Sequence, residues 1–308
     1  MKQKHLLSLK DYTREDIDEI FDLAAQVKAN PRAYAKALEG KSLAMIFQKA
    51  STRTRVSFEV GMFQLGGHAL FLGADAIQLH RGETIADTAK VLSRYVDGIM
   101  ARVYVHQDIL DLAKHGSVPV INGLSDLLHP LQALADFFTL KERRDNLDRL
   151  KMAYVGDGNN VCHELMLLAV KLGMSFAAAC PSGYEPNQLI VKAASRDAQK
   201  ARVPIPVVTA DPLAAVAAAD VVYTDVWASM GQEAEAEARK EVFAPYQVTP
   251  DLMAAAHPDA FFMHCLPAHR GEEVAAEVMD GPQSVVFDEA ENRLHTQKAL
   301  LMLLLGGQ

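Results

Sequence analysis

The densest chemistry in this sequence sits in five residues, Ser51-Thr52-Arg53-Thr54-Arg55, at the start of a stretch of helical period over 56–65. Three hydroxyls and two guanidinium groups, placed where a helix offers its free N–H groups, make an anion site. A guanidinium can hold two phosphate oxygens at once, which a lysine cannot do. An N-cap followed by surface arginines is the plainer alternative, but so dense an alternation of hydroxyl and cation favours a bound anion. Arg102 closes a later apolar run, and His129-Pro130-Leu131-Gln132 stands at another helix start. A lone histidine there is more often structural than catalytic.

Three further constellations lie in the second half. Val155-Gly156-Asp157-Gly158-Asn159-Asn160 imitates a dinucleotide-binding loop, but Val161 occupies the place of the third glycine and no acid lies in 175–182. A nicotinamide-dependent oxidoreductase is thereby demoted. Asp225-Val226-Trp227-Ala228-Ser229-Met230-Gly231 sets the chain's single tryptophan beside an acid and a hydroxyl; Trp227 itself reads as an anchor holding the loop to the core. His264-Cys265-Leu266-Pro267 lies near His257 and His269, a set that invites a metal. Adjacent ligands rarely fit one tetrahedral site, so neither a metal nor another cofactor is expected. Cys265 alone would read as a small buried packer.

The chain has 308 residues and a formal net charge of −8, with 50% hydrophobic and 23% charged residues. That is ample for two α/β halves with their own cores. The acidic balance argues against a general nucleic-acid binder, so an anionic ligand must be held by a local basic cluster. The three cysteines, Cys162, Cys180 and Cys265, are scattered without a C-x-x-C pair and suit a reducing compartment. The opening stretch does not read as a secretory signal, and the longest apolar run has seven residues against the ~20 that span a bilayer. A cytoplasmic protein is expected.

These residues need elements to position them. Short β-branched runs alternate with longer helical periods, the mark of parallel sheets flanked by helices. Thr13 and Asp16 form a capping box ahead of a helix that Asn30-Pro31 ends. Strands are expected near 43–47, 68–72, 98–103 and 118–121, then a long helix over 129–144. A second series follows near 151–155, 175–179, 205–208, 221–224 and 261–264, with a last helix over 289–305. The charge run KERRDNLDRLK near 140–150 reads as a solvated helix end and linker between the halves. In such open sheets ligands sit beyond the carboxyl ends of the strands, where every motif above falls.

Taken in order along one chain, Ser51-Thr52-Arg53-Thr54-Arg55, His129-Pro130-Leu131-Gln132, Asp225-Val226-Trp227-Ala228-Ser229-Met230-Gly231 and His264-Cys265-Leu266-Pro267 resemble the aspartate/ornithine carbamoyltransferase family. The Ser229-Met230-Gly231 and His264-Cys265-Leu266-Pro267 motifs look like its ornithine branch. The resemblance implies two similar-sized domains, 1–145 for carbamoyl phosphate and 146–308 for ornithine, with the last helix packing back on the first. It implies that Ser51, Thr52, Arg53 and Thr54 hold the phosphate, and that Arg102, His129 and Gln132 grip the carbamoyl end. Gln78 would reach in from a neighbouring subunit of a homotrimer or a multiple of trimers. Asn160, Asp225, Ser229 and Met230 would bind ornithine, while Cys265, Leu266 and Arg293 would close around the reacting carbon. Arg102, His129, Cys265 and Arg293 would be catalytic. The implied reaction is carbamoyl transfer to the δ-amine of ornithine, giving citrulline and phosphate; putrescine or N-acetylornithine remain as alternative acceptors.

Overall fold

Residues 2–73, 77–80, 82–228 and 233–306 are described by the computed structural model. The chain divides into two compact units, Met1–Phe138 with Glu291–Gln308, and Thr139–Ala290.

In the first unit, α1 (Arg14–Ala29) leads to β1 (Ser42–Phe47), α2 (Thr52–Gln64), β2 (His68–Gly73), α3 (Ile85–Leu92), β3 (Gly98–Arg102), α4 (His106–His115), β4 (Val120–Leu124) and α5 (Pro130–Lys141), which runs on past Phe138. The Thr13–Asp16 capping box is closed in both directions, and Asn30 caps the other end of α1. All strands are parallel, in the order β2-β1-β3-β4. β1, β3 and β4 are buried almost throughout, which is why they read as continuous apolar runs, whereas the edge strand β2 is partly exposed. Gly66 ends the α2 segment at φ +85°, and a side chain there would stand 2.7 Å from the Ala35 carbonyl.

β4 begins two residues later than the apolar pattern suggests and takes in Asn122 and Gly123. The polar Asn122 is tolerated because its amide donates 3.0 Å to the Leu7 carbonyl, while Leu6 bridges to Ile121 and covers the edge of the strand. α2 also starts earlier than 56, with Ser51 as its N-cap, so the hydroxyl–arginine motif forms the first turn itself.

The second unit holds β5 (Lys151–Val155), α6 (Asn160–Leu172), β6 (Ser175–Ala179), α7 (Gln188–Ala201), β7 (Val207–Thr209), α8 (Pro212–Val216), β8 (Val221–Thr224), α9 (Ala236–Phe243), α10 (Pro250–Ala254), β9 (Phe261–His264) and α11 (Ala276–Met279). Its parallel sheet has the order β7-β6-β5-β8-β9. α12 (Val286–Leu305) begins in this unit and continues in the first. It starts three residues before 289 because Val286 belongs to the apolar cluster under this sheet. The charge run at 141–150 is more than a solvated linker. Arg144 donates 2.8 Å to the Asp259 carbonyl and lies 4.3 Å over the Phe261 ring, and Arg143 pairs with Asp288 at 2.7 Å. Among the described residues no helix is long and apolar enough to cross a membrane.

Candidate active site

Each sheet reverses its strand order at one point, β1 against β3 in the first unit and β5 against β8 in the second. Strand ends diverge there, leaving a crevice beyond their carboxyl termini. In the first unit that point carries the loop into Ser51 and, on β3, Arg102. The register between β3 and β4 shifts at Ala101/Arg102, an irregularity of the kind that re-aims a side chain.

Ser51 Oγ accepts from the Thr54 N–H at 3.2 Å and so shapes the first turn of α2. Thr52 is exposed, Ser51 and Arg53 are half-buried, and Thr54 is buried. Arg55 turns away: its Nε donates 3.0 Å to Glu59, and its guanidinium lies 3.8 Å from the Phe71 ring centroid. Arg293, brought in by α12, is 3% exposed and holds three elements together. Its Nη2 donates 3.0 Å to Thr54 Oγ1 and its Nη1 donates 2.6 Å to Gln132 Oε1 on α5. Gln297, with its amide oxygen toward Arg293, accepts from Nη2 at 3.1 Å and Nε at 3.2 Å, and its nitrogen donates to Ser57 at 2.6 Å. Gln132 is oriented in turn by donating 2.7 Å to Asp136 Oδ1.

His129 stands just before α5 and is 5% exposed. Burial first, and then the charges of Arg293, Arg102 and Arg53, hold its pKa well below the usual histidine value. The imidazole is therefore neutral at neutral pH, and it can donate one hydrogen bond without adding to the positive field. Its Nδ1 has no hydrogen-bond partner among the described residues. Three guanidinium groups around a neutral imidazole suit an anion that carries a polarisable carbonyl.

In the second unit the reversal point carries the loops after β5 and β8. Asn159 caps α6, its Oδ1 accepting from Val161 and Cys162 N–H at 3.0 and 3.2 Å, and its Nδ2 donates 2.8 Å to Asp225 Oδ2. Asp225 Oδ1 takes the Val226 N–H at 2.8 Å and the Cys265 thiol at 3.0 Å. One buried carboxylate thus joins the ends of β5, β8 and β9. The turn carrying Cys265 is held from behind: His264 Nδ1 accepts from the Leu266 N–H at 2.8 Å, and Nε2–H faces Glu273 Oε1 at 3.1 Å. Leu266 sits at φ +60°, a conformation costing about 1 kcal/mol or more, which these contacts maintain. Trp227 is 5% exposed and stacks on Phe243 with centroids 6.0 Å apart, the anchoring role its sequence suggests.

Asp225, His264 and Cys265 place possible metal-ligand atoms within 4.8 Å of one another, as do His269, Glu272 and Glu273. Both ring nitrogens of His264 are already committed to buried hydrogen bonds, and Glu272 pairs with Lys240 at 3.3 Å. The dinucleotide alternative also loses its footing. Asn159 occupies helix N–H groups of α6, and a side chain at Gly158 would stand 2.2 Å from Pro186 N, so the 184–186 segment covers the loop.

Comparison with known proteins accords with both halves. Residues 4–142 match the carbamoyl-P binding domain, and residues 148–304 the Asp/Orn binding domain, of aspartate/ornithine carbamoyltransferases. The chain belongs to the aspartate/ornithine carbamoyltransferase family. The ornithine carbamoyltransferase of Pyrococcus horikoshii is 59% identical over 100% of this chain and 97% of its own length. An anabolic ornithine carbamoyltransferase from Pyrococcus furiosus is 58% identical over 99% of this chain and 97% of its own. The solved ornithine carbamoyltransferase structure from P. furiosus superposes with a TM-score of 0.95 at 58% identity, covering 99% of this chain and 98% of that one. The two parallel sheets flanked by helices are thus the architecture of this carbamoyltransferase family.

Within this family frame, Thr54, Gln132 and Arg293 are in direct contact, and Arg53, Arg102 and His129 interact electrostatically. Asp225 and Cys265 are likewise in contact. Asn160 is the first residue of α6, while the hydrogen bond to Asp225 comes from its neighbour Asn159. Gln78 is exposed on a 3₁₀ turn, Gln78–His80. Ser229 and Met230 lie outside the described residues. Gln297 escaped the motif reading, and Asn159 entered it only as part of the 155–160 loop motif. The N-cap position ahead of α6 could have signalled Asn159; nothing local distinguishes Gln297 from any other helix residue.

Proposed function

We infer that this chain transfers the carbamoyl group of carbamoyl phosphate to the δ-amine of L-ornithine, giving L-citrulline and phosphate, in arginine biosynthesis. The observation that carries this reading is the neutral His129 beside Arg53, Arg102 and Arg293 at the strand-reversal point of a carbamoyl-phosphate-binding family domain. Ser51, Thr52, Arg53 and Thr54 would bind the phosphate at the N-terminus of α2, which draws negative charge onto the leaving group. As the amine attacks, negative charge grows on the carbonyl oxygen, and Arg102, His129 and Thr54 are the donors suited to stabilise it. Gln132 and Arg293 would fix the carbamoyl end between them.

The acceptor presents a separate problem. An alkyl ammonium with a pKa near 10.4 is a free amine in roughly one molecule in 2,500 at pH 7, and drawing on that form costs about 4.6 kcal/mol. In our reading the site takes up the δ-amine in its neutral form, beside Cys265. Asp225, Asn160, Ser229 and Met230 would bind the α-amino acid end. The departing phosphate can accept the amine proton, so no separate protein base is needed. Citrulline formation assayed in parallel with ornithine, putrescine and N-acetylornithine tests the reading; equal or faster turnover of either rival overturns the ornithine assignment.

The finer assignments are proposals too. A trimer, or a multiple of trimers, rests on the family resemblance; self-association as such is supported by the apolar Val56, Val60 and Phe63 of α2 and Leu70 and Phe71 of β2, all exposed, with Phe63 81% so. Gln78 would then act across a subunit contact, and sedimentation of the purified protein as a monomer would rule that out. The three free cysteines suit a reducing cytoplasm.

A further inference from the structure

Arg239, on α9, is 6% exposed, and the motif reading gives it no role. Its Nη1 donates 2.8 Å to the Trp227 carbonyl and 3.2 Å to Asp157 Oδ2, and its Nε donates 3.2 Å to Glu235. The guanidinium lies 4.8 Å from the Tyr184 ring centroid and 5.9 Å from that of Phe243. A charge buried this deeply is costly unless paired, and an apolar side chain of similar volume would fill the same space. What the guanidinium does that an apolar group could not is hold the loop after β5 to the loop after β8. Asp157 precedes Asn159 by two residues and Trp227 follows Asp225 by two. Those loops meet again at the 2.8 Å bond from Asn159 to Asp225.

We propose that Arg239 and Asp157 are positioning residues for the acceptor pocket: the guanidinium ties the two loops together and thereby sets where Asn159 and Asp225 present their polar atoms to the diamino acid. This rests on the ornithine reading given above. The tie is sensitive to pH. Asp157 is raised to about 6, by burial first, with Arg239 opposing and Asp225 and Glu235 adding to the rise. Cys162, Cys180 and Tyr154 also interact with this carboxylate, and all are shifted upward and so uncharged at neutral pH. As pH falls through about 6 the ion pair is lost, and acceptor binding weakens while donor binding does not.

The test uses the full chain, with L-norvaline as probe. Norvaline keeps the α-amino and α-carboxylate groups of ornithine but lacks the δ-amine, so the titration of that amine drops out. With carbamoyl phosphate present, the norvaline Kd of the unaltered protein should rise toward tenfold per pH unit below about pH 6. Asp157→Asn, which keeps the volume and a hydrogen bond, should flatten that limb. Arg239→Gln should raise the ornithine KM by about 10- to 100-fold and leave the carbamoyl phosphate Kd within about twofold, with Arg239→Lys in between. An acid limb persisting in Asp157→Asn, or an Arg239→Gln protein that loses donor affinity in parallel, overturns the proposal alone. An unaltered protein that binds the donor yet forms no citrulline overturns it together with the functional reading.

Discussion

Arg293 Nη1 lies 2.6 Å from Gln132 Oε1, a contact that ties the last helix of the chain to the helix beginning beside His129. With Thr54 and Gln297 also accepting from Arg293, one guanidinium holds side chains of α2, α5 and α12 in place.

Arg293→Ala should therefore act on binding and stability together. Thr54, Gln132 and Gln297 would keep buried acceptors with no common donor, at about 1–3 kcal/mol for each group left unsatisfied. We expect the carbamoyl phosphate Kd to rise by about 100-fold by calorimetry, with a loss of roughly 3 kcal/mol in urea unfolding. Lysine should rescue little, because a point charge cannot reproduce the fork. A donor affinity within threefold of the parent would sink the assignment.

His129 gives an acid-stability prediction. Its folded pKa lies well below 6.5, so below that pH the unfolded chain takes up a proton that the folded chain refuses. Stability is then intact above about pH 6.5 and is lost as pH falls, at up to about 1.4 kcal/mol per unit from this group. His5, His106 and His295 are also lowered by burial and add in the same direction. Denaturant unfolding of His129→Asn across this range should show a shallower acid slope. An unchanged slope would mean that His129 titrates normally.

Cys265 donates its thiol to Asp225 at 3.0 Å, a weak donor on a carboxyl that Asn159 and the Val226 N–H also hold. Cys265→Ala should raise the ornithine KM by about 10-fold or more and displace the pH–rate profile. Steady-state kinetics in which both stay as in the parent would refute a role for the thiol.

Asn159 combines two duties that substitution can separate. Asn159→Ala loses the cap of α6, worth about 1 kcal/mol, and the contact to Asp225. Asn159→Ser keeps a capping oxygen but cannot reach the carboxylate. We expect both to raise the ornithine KM by about 10-fold or more, with the alanine form losing about 1 kcal/mol more than the serine form in unfolding experiments. Equal stability losses would show that the cap is not separable from the site.

The fold was most legible where the chain is buried on both faces. β5, β6, β8 and β9 coincide with their expected spans, because parallel strands buried along most of their length, the edge strand β9 included, read as short apolar runs. Legibility failed where a polar group is satisfied from afar. Asn122 interrupts the pattern of β4, and only the distant Leu7 carbonyl makes it tolerable there. The candidate site divides similarly. Ser51–Thr54 and His129–Gln132 announce themselves by residue type at helix starts. Arg293 and Gln297 lie in a helix whose local pattern says nothing of the clamp they form.

Taken by itself, the sequence determined the alternation of strands and helices, the capped ends of α1, and which side chains could bind an anion, because these follow from local periodicity and side-chain chemistry. Only the tertiary structure decided that β1 lies between β2 and β3 and that β5 lies between β6 and β8. It also decided that Asn159 meets Asp225, and that Arg239 bridges two loops. Strand order and buried hydrogen bonds join residues far apart in the chain, and their free energy appears only when packing removes water from both partners at once.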